Sequence, residues 1–124
     1  MALATVLVEE GRTIRDSLIP ALAELAGAEV IAVAETAEEG IAALTAHADG
    51  WQLAVVDMHL REGSGMDVLR YTARRRAGQQ VLVLTNYATP EIRRRAKEAG
   101  ANGVFDKSTE IEQFFALCES LSKA

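Results

Sequence analysis

At 124 residues, 49% apolar and 25% charged, the chain has the makings of one folded domain, which excludes a disordered or low-complexity class. A net charge of −5 gives no electrostatic reason to expect nucleic acid or anionic lipid as a partner, and no apolar stretch approaches the roughly 20 residues that cross a bilayer. The lone Cys118 excludes an internal disulfide and fits a reducing cytoplasm.

The first apolar run, Ala4–Val8, ends on Glu9-Glu10; with no basic segment before it, it reads as a strand and not a signal peptide. A helical pattern covers Arg12–Ala26, closed by Gly27 where a left-handed residue is wanted, with Pro20 inside it and expected to kink or split it. The second strand is Glu29–Ala34, and Thr36 with Glu39 has the capping-box spacing that opens a helix over Ala37–Ala48. Trp51 is a packing residue ahead of the third strand, Leu53–Val56, which stops at Asp57. A loop through His59 to Gly65 leads to a helix over Met66–Arg76. The fourth strand, Val81–Leu84, ends on Thr85, and Thr89-Pro90-Glu91 opens a helix over Pro90–Ala99 that Gly100 closes. The fifth strand, Gly103–Phe105, runs through Asp106 to Lys107. Thr109 with Glu112 again has capping-box spacing, and Ile111, Phe114, Phe115, Cys118 and Leu121 form one apolar stripe along the last helix, Glu110–Ser122.

Strands that are continuously apolar and alternate with helices predict an α/β fold, a parallel sheet covered on both faces. Every strand of such a sheet leaves at the same edge, so Glu9, Glu10, Asp57, Thr85 and Lys107 would gather in one crevice. Three carboxylates, a hydroxyl and an ammonium can hold a divalent cation and a phosphoryl group together. Charge is uneven along the chain: residues 1–62 carry 11 acids against 3 bases, and residues 63–124 carry 7 acids against 10 bases. Arg74-Arg75-Arg76 and Arg93-Arg94-Arg95 supply much of the second half, as solvated helix surface or as a patch for an acidic partner.

Taken together, these residues resemble the receiver domain of two-component response regulators over the whole chain. The resemblance rests on the pair Glu9-Glu10, on Asp57 and the loop from Asp57 to Met66 with its glycine at Gly65, on Thr85, and on Phe105 with Lys107. It implies a flavodoxin-like (βα)5 three-layer sandwich with strand order 2-1-3-4-5. Residues 1–124 would form a single receiver domain without an output domain. It further implies a phosphoacceptor and not an enzyme, located in the cytoplasm. Asp57 would take a phosphoryl group from a sensor histidine kinase or phosphotransfer protein, with Mg2+ held by Glu9, Glu10, Asp57 and the backbone carbonyl of His59. Thr85 and Lys107 would serve the transfer. Thr85 and Phe105 would form a switch read on the face of the fourth helix, fifth strand and fifth helix by a downstream protein, a homodimer through that face being one arrangement. No contact with nucleic acid or membrane is expected. Tyr87 and the side chain of His59 would overhang the phosphoryl group.

Four residues depart from the family pattern: Glu10 for a common aspartate, Arg61 for a loop proline, Asn86 for a very small residue, and Ser108 for a cis-proline. An ordinary trans bond is expected before Ser108. Two rivals follow. A pseudo-receiver would keep the fold as a phosphorylation-independent interaction module. A flavodoxin-like cofactor binder would need a phosphate loop after the first strand, where this chain places two acids.

Overall fold

In the computed structural model, which describes residues 2–123, all five expected strands and all five helices form. The strands are β1 (Leu3–Val8), β2 (Ala28–Ala34), β3 (Leu53–Val56), β4 (Gln80–Thr85) and β5 (Gly103–Asp106). They alternate with α1 (Arg12–Ala26), α2 (Ala37–Ala46), α3 (Gly65–Thr72), α4 (Pro90–Glu98) and α5 (Ile111–Ser122). The sheet is parallel throughout in the order β2-β1-β3-β4-β5, which is the flavodoxin-like arrangement.

Alternation along each strand divides the core between the two faces. Val6, Val8, Ala54, Val56, Val81, Val83 and Val104 pack with Leu44, Val68, Leu69 and Ala96 of α2, α3 and α4. Leu7, Leu53, Val55, Leu82 and Leu84 pack with Leu18, Leu22, Phe114 and Cys118 of α1 and α5. Trp51 is buried in the first of these clusters, as expected of a packing residue. Both apolar faces explain why β1, β3 and β4 read as unbroken apolar runs.

Several local expectations need correcting. Helix α1 runs unbroken through Pro20. The proline lies on the exposed face, so the carbonyl it leaves without an amide partner can be hydrated. Helix α2 stops at Ala46 and α3 at Thr72, short of Ala48 and Arg76. Beyond α3, Arg75 donates to the carbonyls of Thr72, Gln79 and Gly100 and to Asn102 Oδ1 at 2.7–3.0 Å, so its side chain organises a turn that replaces further helix. Thr36 caps α2 through the Glu39 amide as predicted, but Thr109 does not cap α5, whose N-cap is Glu110. Asp106 Oδ1 instead accepts from the amides of Ser108 and Thr109, making a turn ahead of the helix. Thr89 caps α4, and Gly27 adopts the left-handed φ of 63° expected of it. No cis peptide occurs among the described residues, in keeping with the trans bond expected before Ser108.

Cys118 is fully buried on the expected stripe, and desolvation pushes its thiol up to about 12. Only the thiolate reacts, so iodoacetamide at pH 8 should leave the native protein unlabelled for hours and label it completely in denaturant, as read by intact mass. Rapid labelling without denaturant would contradict the packing of α5. Because the folded value lies above the ordinary value of 9.0, this thiol's contribution to stability is intact below pH 9 and declines as pH rises toward 12.

Candidate functional site

The carboxyl edge of the sheet assembles the site from three strand ends. The Glu9 amide donates to Ala34 O at 2.8 Å and the Asp57 amide to Val8 O at 2.9 Å, so both acids continue the parallel ladder by one residue. The Lys107 amide donates to Thr85 O at 3.0 Å and sets the lysine beside β4 in the same way. Behind Asp57 the chain must return closely: a Cβ at Gly65 would sit 2.4 Å from the Asp57 carbonyl oxygen and 2.8 Å from Met58 Cα. Only glycine permits α3 to start there, which is the physical meaning of that glycine in the loop pattern.

Lys107 is the centre of the cluster. Its Nζ donates to Asp57 Oδ2 at 2.8 Å and to Glu9 Oε1, and all three side chains are at most 9% exposed. Glu9 Oε2 accepts from the Gly11 amide at 2.8 Å. Burial lifts the Glu9 carboxyl above the usual carboxylate range, against the pull of Lys107 and the Gly11 amide, and the nearby charge of Asp57 adds to the rise. Burial pulls Lys107 down, but its hydrogen bonds to Asp57 and Glu9 outweigh that and hold it above the ordinary lysine value. The lysine is therefore a permanent cation between two carboxylates.

Thr85 is fully buried, and its Oγ1 accepts from the Tyr87 amide at 3.2 Å. Asp57 Oδ1 faces the loop, 3.4 Å from the His59 amide. The His59 imidazole stacks on Tyr87 with ring centroids 4.0 Å apart, so these two residues form a tilted aromatic pair across the loops that follow β3 and β4. Glu10 is exposed, and its side chain makes no ion pair or hydrogen bond among the described residues. The structure thus brings together Glu9, Asp57 and Lys107 and leaves the Glu10 carboxylate at the rim. Among the described residues, no three His, Cys, Asp or Glu side chains lie in one metal-binding group.

Phe105 is the residue whose expected part does not fit. It pairs with Leu84, while Val104 pairs with Val83 and Asp106 with Thr85. Alternation puts Val104 on the face of Thr85 and Phe105 on the opposite face, where its ring meets Phe114 at 5.8 Å beneath α5. Space vacated by Thr85 cannot admit a ring on the far side of the sheet. The link between β5 and the helices of that face is polar instead. Arg93 donates to the carbonyls of Ala88 and Val104 at 3.0 and 3.2 Å and to Glu110 Oε1 at 2.7 Å, and the same oxygen accepts from the Asp106 amide at 2.9 Å. Sequence reading counted Arg93 as surface charge, because nothing in an arginine run says which member turns inward.

A family model, the response regulator receiver domain, matches residues 5–119. The chain belongs to that family. It is a receiver domain of the two-component response-regulator class, and solved structures agree with it in fold. The signal receiver domain of the putative response regulator NarL from Mycobacterium tuberculosis is 18% identical, with a TM-score of 0.84 over 99% of this chain and 98% of that one. The phosphorylated cyanobacterial phytochrome response regulator RcpA is 21% identical, with a TM-score of 0.78 over 99% and 93%. The CheX-CheY-BeF3-Mg2+ complex from Borrelia burgdorferi contains a chain 13% identical, with a TM-score of 0.78 over 93% and 88%. A comparison with curated proteins found no match. No helix among the described residues is long and apolar enough to cross a membrane.

Proposed function

We propose that this receiver domain accepts a phosphoryl group on Asp57 from a histidine kinase or phosphotransfer protein and signals through the face of α4, β5 and α5. The observation that carries this reading is the buried contact of Lys107 with Asp57 Oδ2, which leaves Oδ1 directed at the loop. An ionised carboxylate is a competent nucleophile toward phosphorus. As the phosphorus–nitrogen bond of the donor breaks and Asp57 bonds to phosphorus, Lys107 neutralises charge on the transferring oxygens. Thr85 and the loop amides donate hydrogen bonds to them. An apolar cavity of about 430 Å3 between α1 and α5, lined by Ile14, Leu18, Ile111 and Phe115, adjoins Lys107 and offers a donor protein a seat beside the site.

The donor set suits Mg2+. It is all oxygen and lies at the carboxyl edge of the sheet, with the Glu10 carboxylate exposed at its rim. Asp57, the rim carboxylate of Glu10 and the His59 carbonyl would hold the ion. Glu9, whose oxygens already serve Lys107 and Gly11, would add charge and water-mediated contacts. When bound, the ion would supply charge neutralisation for phosphoryl transfer. Incubation with acetyl phosphate and Mg2+ should add the mass of one phosphoryl group, and excess chelator should prevent it; Glu10→Gln should require more Mg2+ for the same yield. Equal labelling with and without divalent ion would overturn the cation requirement, and no labelling under either condition would favour the pseudo-receiver reading. As a phosphoacceptor the domain is regulatory, and His59 stacked on Tyr87 supports a covered phosphoryl group with restricted access for water.

The switch we infer runs through the main chain and not through Phe105. When Thr85 turns its hydroxyl to the phosphoryl group, the Tyr87 amide loses its acceptor, and the loop that carries Ala88 changes its hold on Arg93. Arg93 in turn touches Val104 and Glu110, so the rearrangement reaches β5 and α5.

A further inference from the structure

A second network lies beside the reacting groups. Arg15, in the first turn of α1 with its side chain 14% exposed, points Nη1 at Glu10 O (2.8 Å), Glu9 O (3.0 Å) and Glu35 Oε2 (2.9 Å). Glu35 follows β2, and its other oxygen lies 3.6 Å from Arg61 Nη2, which is also 3.7 Å from Glu39 Oε2. The Arg61 amide donates to Glu35 O at 3.2 Å, and the Glu35 amide to Glu39 Oε1 at 2.9 Å. The loops after β1, β2 and β3 are therefore joined by two arginines and two glutamates. Arg61 stands where the family commonly has a proline, and its ion pairs tether a loop that has lost that rigidity.

We propose that Arg15 is a positioning residue for divalent-cation binding: it fixes the main chain of Glu9 and Glu10 from α1, with Glu35 and Arg61 holding it in register with the loop of Asp57. The Glu10 side chain has no partner of its own among the described residues, so its backbone alone fixes where that carboxylate is anchored, and Arg15 holds the carbonyl of that backbone. All three contacts are made by Nη1, whose two N–H directions are fixed in the guanidinium plane, whereas an ammonium rotates freely on a flexible stem. Charge alone predicts the opposite effect. A cation near the acidic edge repels a second cation, so deleting it should tighten Mg2+ binding if geometry played no part.

The inference rests on the cation-binding reading above, and Mg2+ titration followed by amide chemical shifts tests it. Arg15→Ala should weaken Mg2+ about tenfold, as removal of an outer-shell partner does, although the edge becomes more negative. Arg15→Lys should weaken it several-fold with the charge kept, and Arg61→Ala should have a smaller effect in the same direction. Unchanged or tighter binding in folded Arg15→Ala and Arg15→Lys overturns the proposal. If the unaltered protein itself shows no Mg2+-dependent shifts at Asp57 and His59, the cation-binding reading fails separately. Hydrogen exchange at the Gly11 and Arg12 amides then decides the role of Arg15, since exchange unchanged by Arg15→Ala also overturns it.

Discussion

Asp57→Asn should abolish the phosphoryl adduct that forms with acetyl phosphate and Mg2+, while the folded protein persists. Asp57 meets Lys107 and the His59 amide with different oxygens, so the single amide oxygen of the variant keeps the stronger contact, with Lys107, and gives up the 3.4 Å one with His59. It cannot serve as an anionic nucleophile, and the acyl phosphate has no other carboxylate in a comparable setting. Glu9 is buried, with both oxygens occupied by Lys107 and the Gly11 amide, and burial raises its carboxyl above the usual carboxylate range. Glu10 has an unencumbered carboxylate but no lysine against it. Intact mass is the direct measurement, and an adduct of one phosphoryl group surviving in Asp57→Asn would place the acceptor elsewhere. Melting temperature guards against the trivial outcome, because an unfolded variant would lose the adduct for the wrong reason.

The parts of the molecule legible in the sequence are those set by short-range rules. Apolar runs ending in polar residues located β1, β3, β4 and β5, and parallel connectivity placed their ends at one edge. Gly27, Thr36 and Thr89 announced helix ends through backbone chemistry that needs no tertiary partner. What escaped was side-chain direction. The sequence could not say that Phe105 and not Val104 would turn toward α5, because that depends on the phase of the β5 pleat, and one residue of slip reverses every side chain. The same holds for Arg15, Arg75 and Arg93, three arginines that turn onto backbone carbonyls while their neighbours stay in solvent. Thr109 is not a cap because Asp106 Oδ1 holds the Ser108 and Thr109 amides in a turn, and the helix begins one residue later with Glu110 as its N-cap. The acidic pair was recognised as a pair, yet folding separates it, with Glu9 inside on the lysine and Glu10 at the rim.

That separation makes Lys107 the most consequential cation in the chain. Lys107→Met should cost about 3 kcal/mol of stability near neutral pH in chelator, because removing one partner of a buried ion pair strands the other. Here two carboxylates are stranded, both at most 9% exposed. The loss should shrink toward pH 5. A buried carboxyl with a raised folded-state pKa is stable in its protonated form below its ordinary value and loses that stability as pH rises through the raised one. Mg2+ should recover part of the loss at neutral pH, since a divalent cation held by Asp57 and Glu10 offsets the negative charge left beside both stranded acids. At a concentration one hundred times its Kd, such a ligand stabilises by about 2.7 kcal/mol. Urea denaturation of the variant and the unaltered protein, at two pH values with and without Mg2+, measures all three effects. Adding Glu9→Gln and Asp57→Asn to Lys107→Met removes the stranded charges and should restore much of the stability without any metal. If Lys107→Met is as stable as the unaltered protein in chelator at neutral pH, the lysine does not hold the two acids together, and the charge balance drawn for the site is wrong.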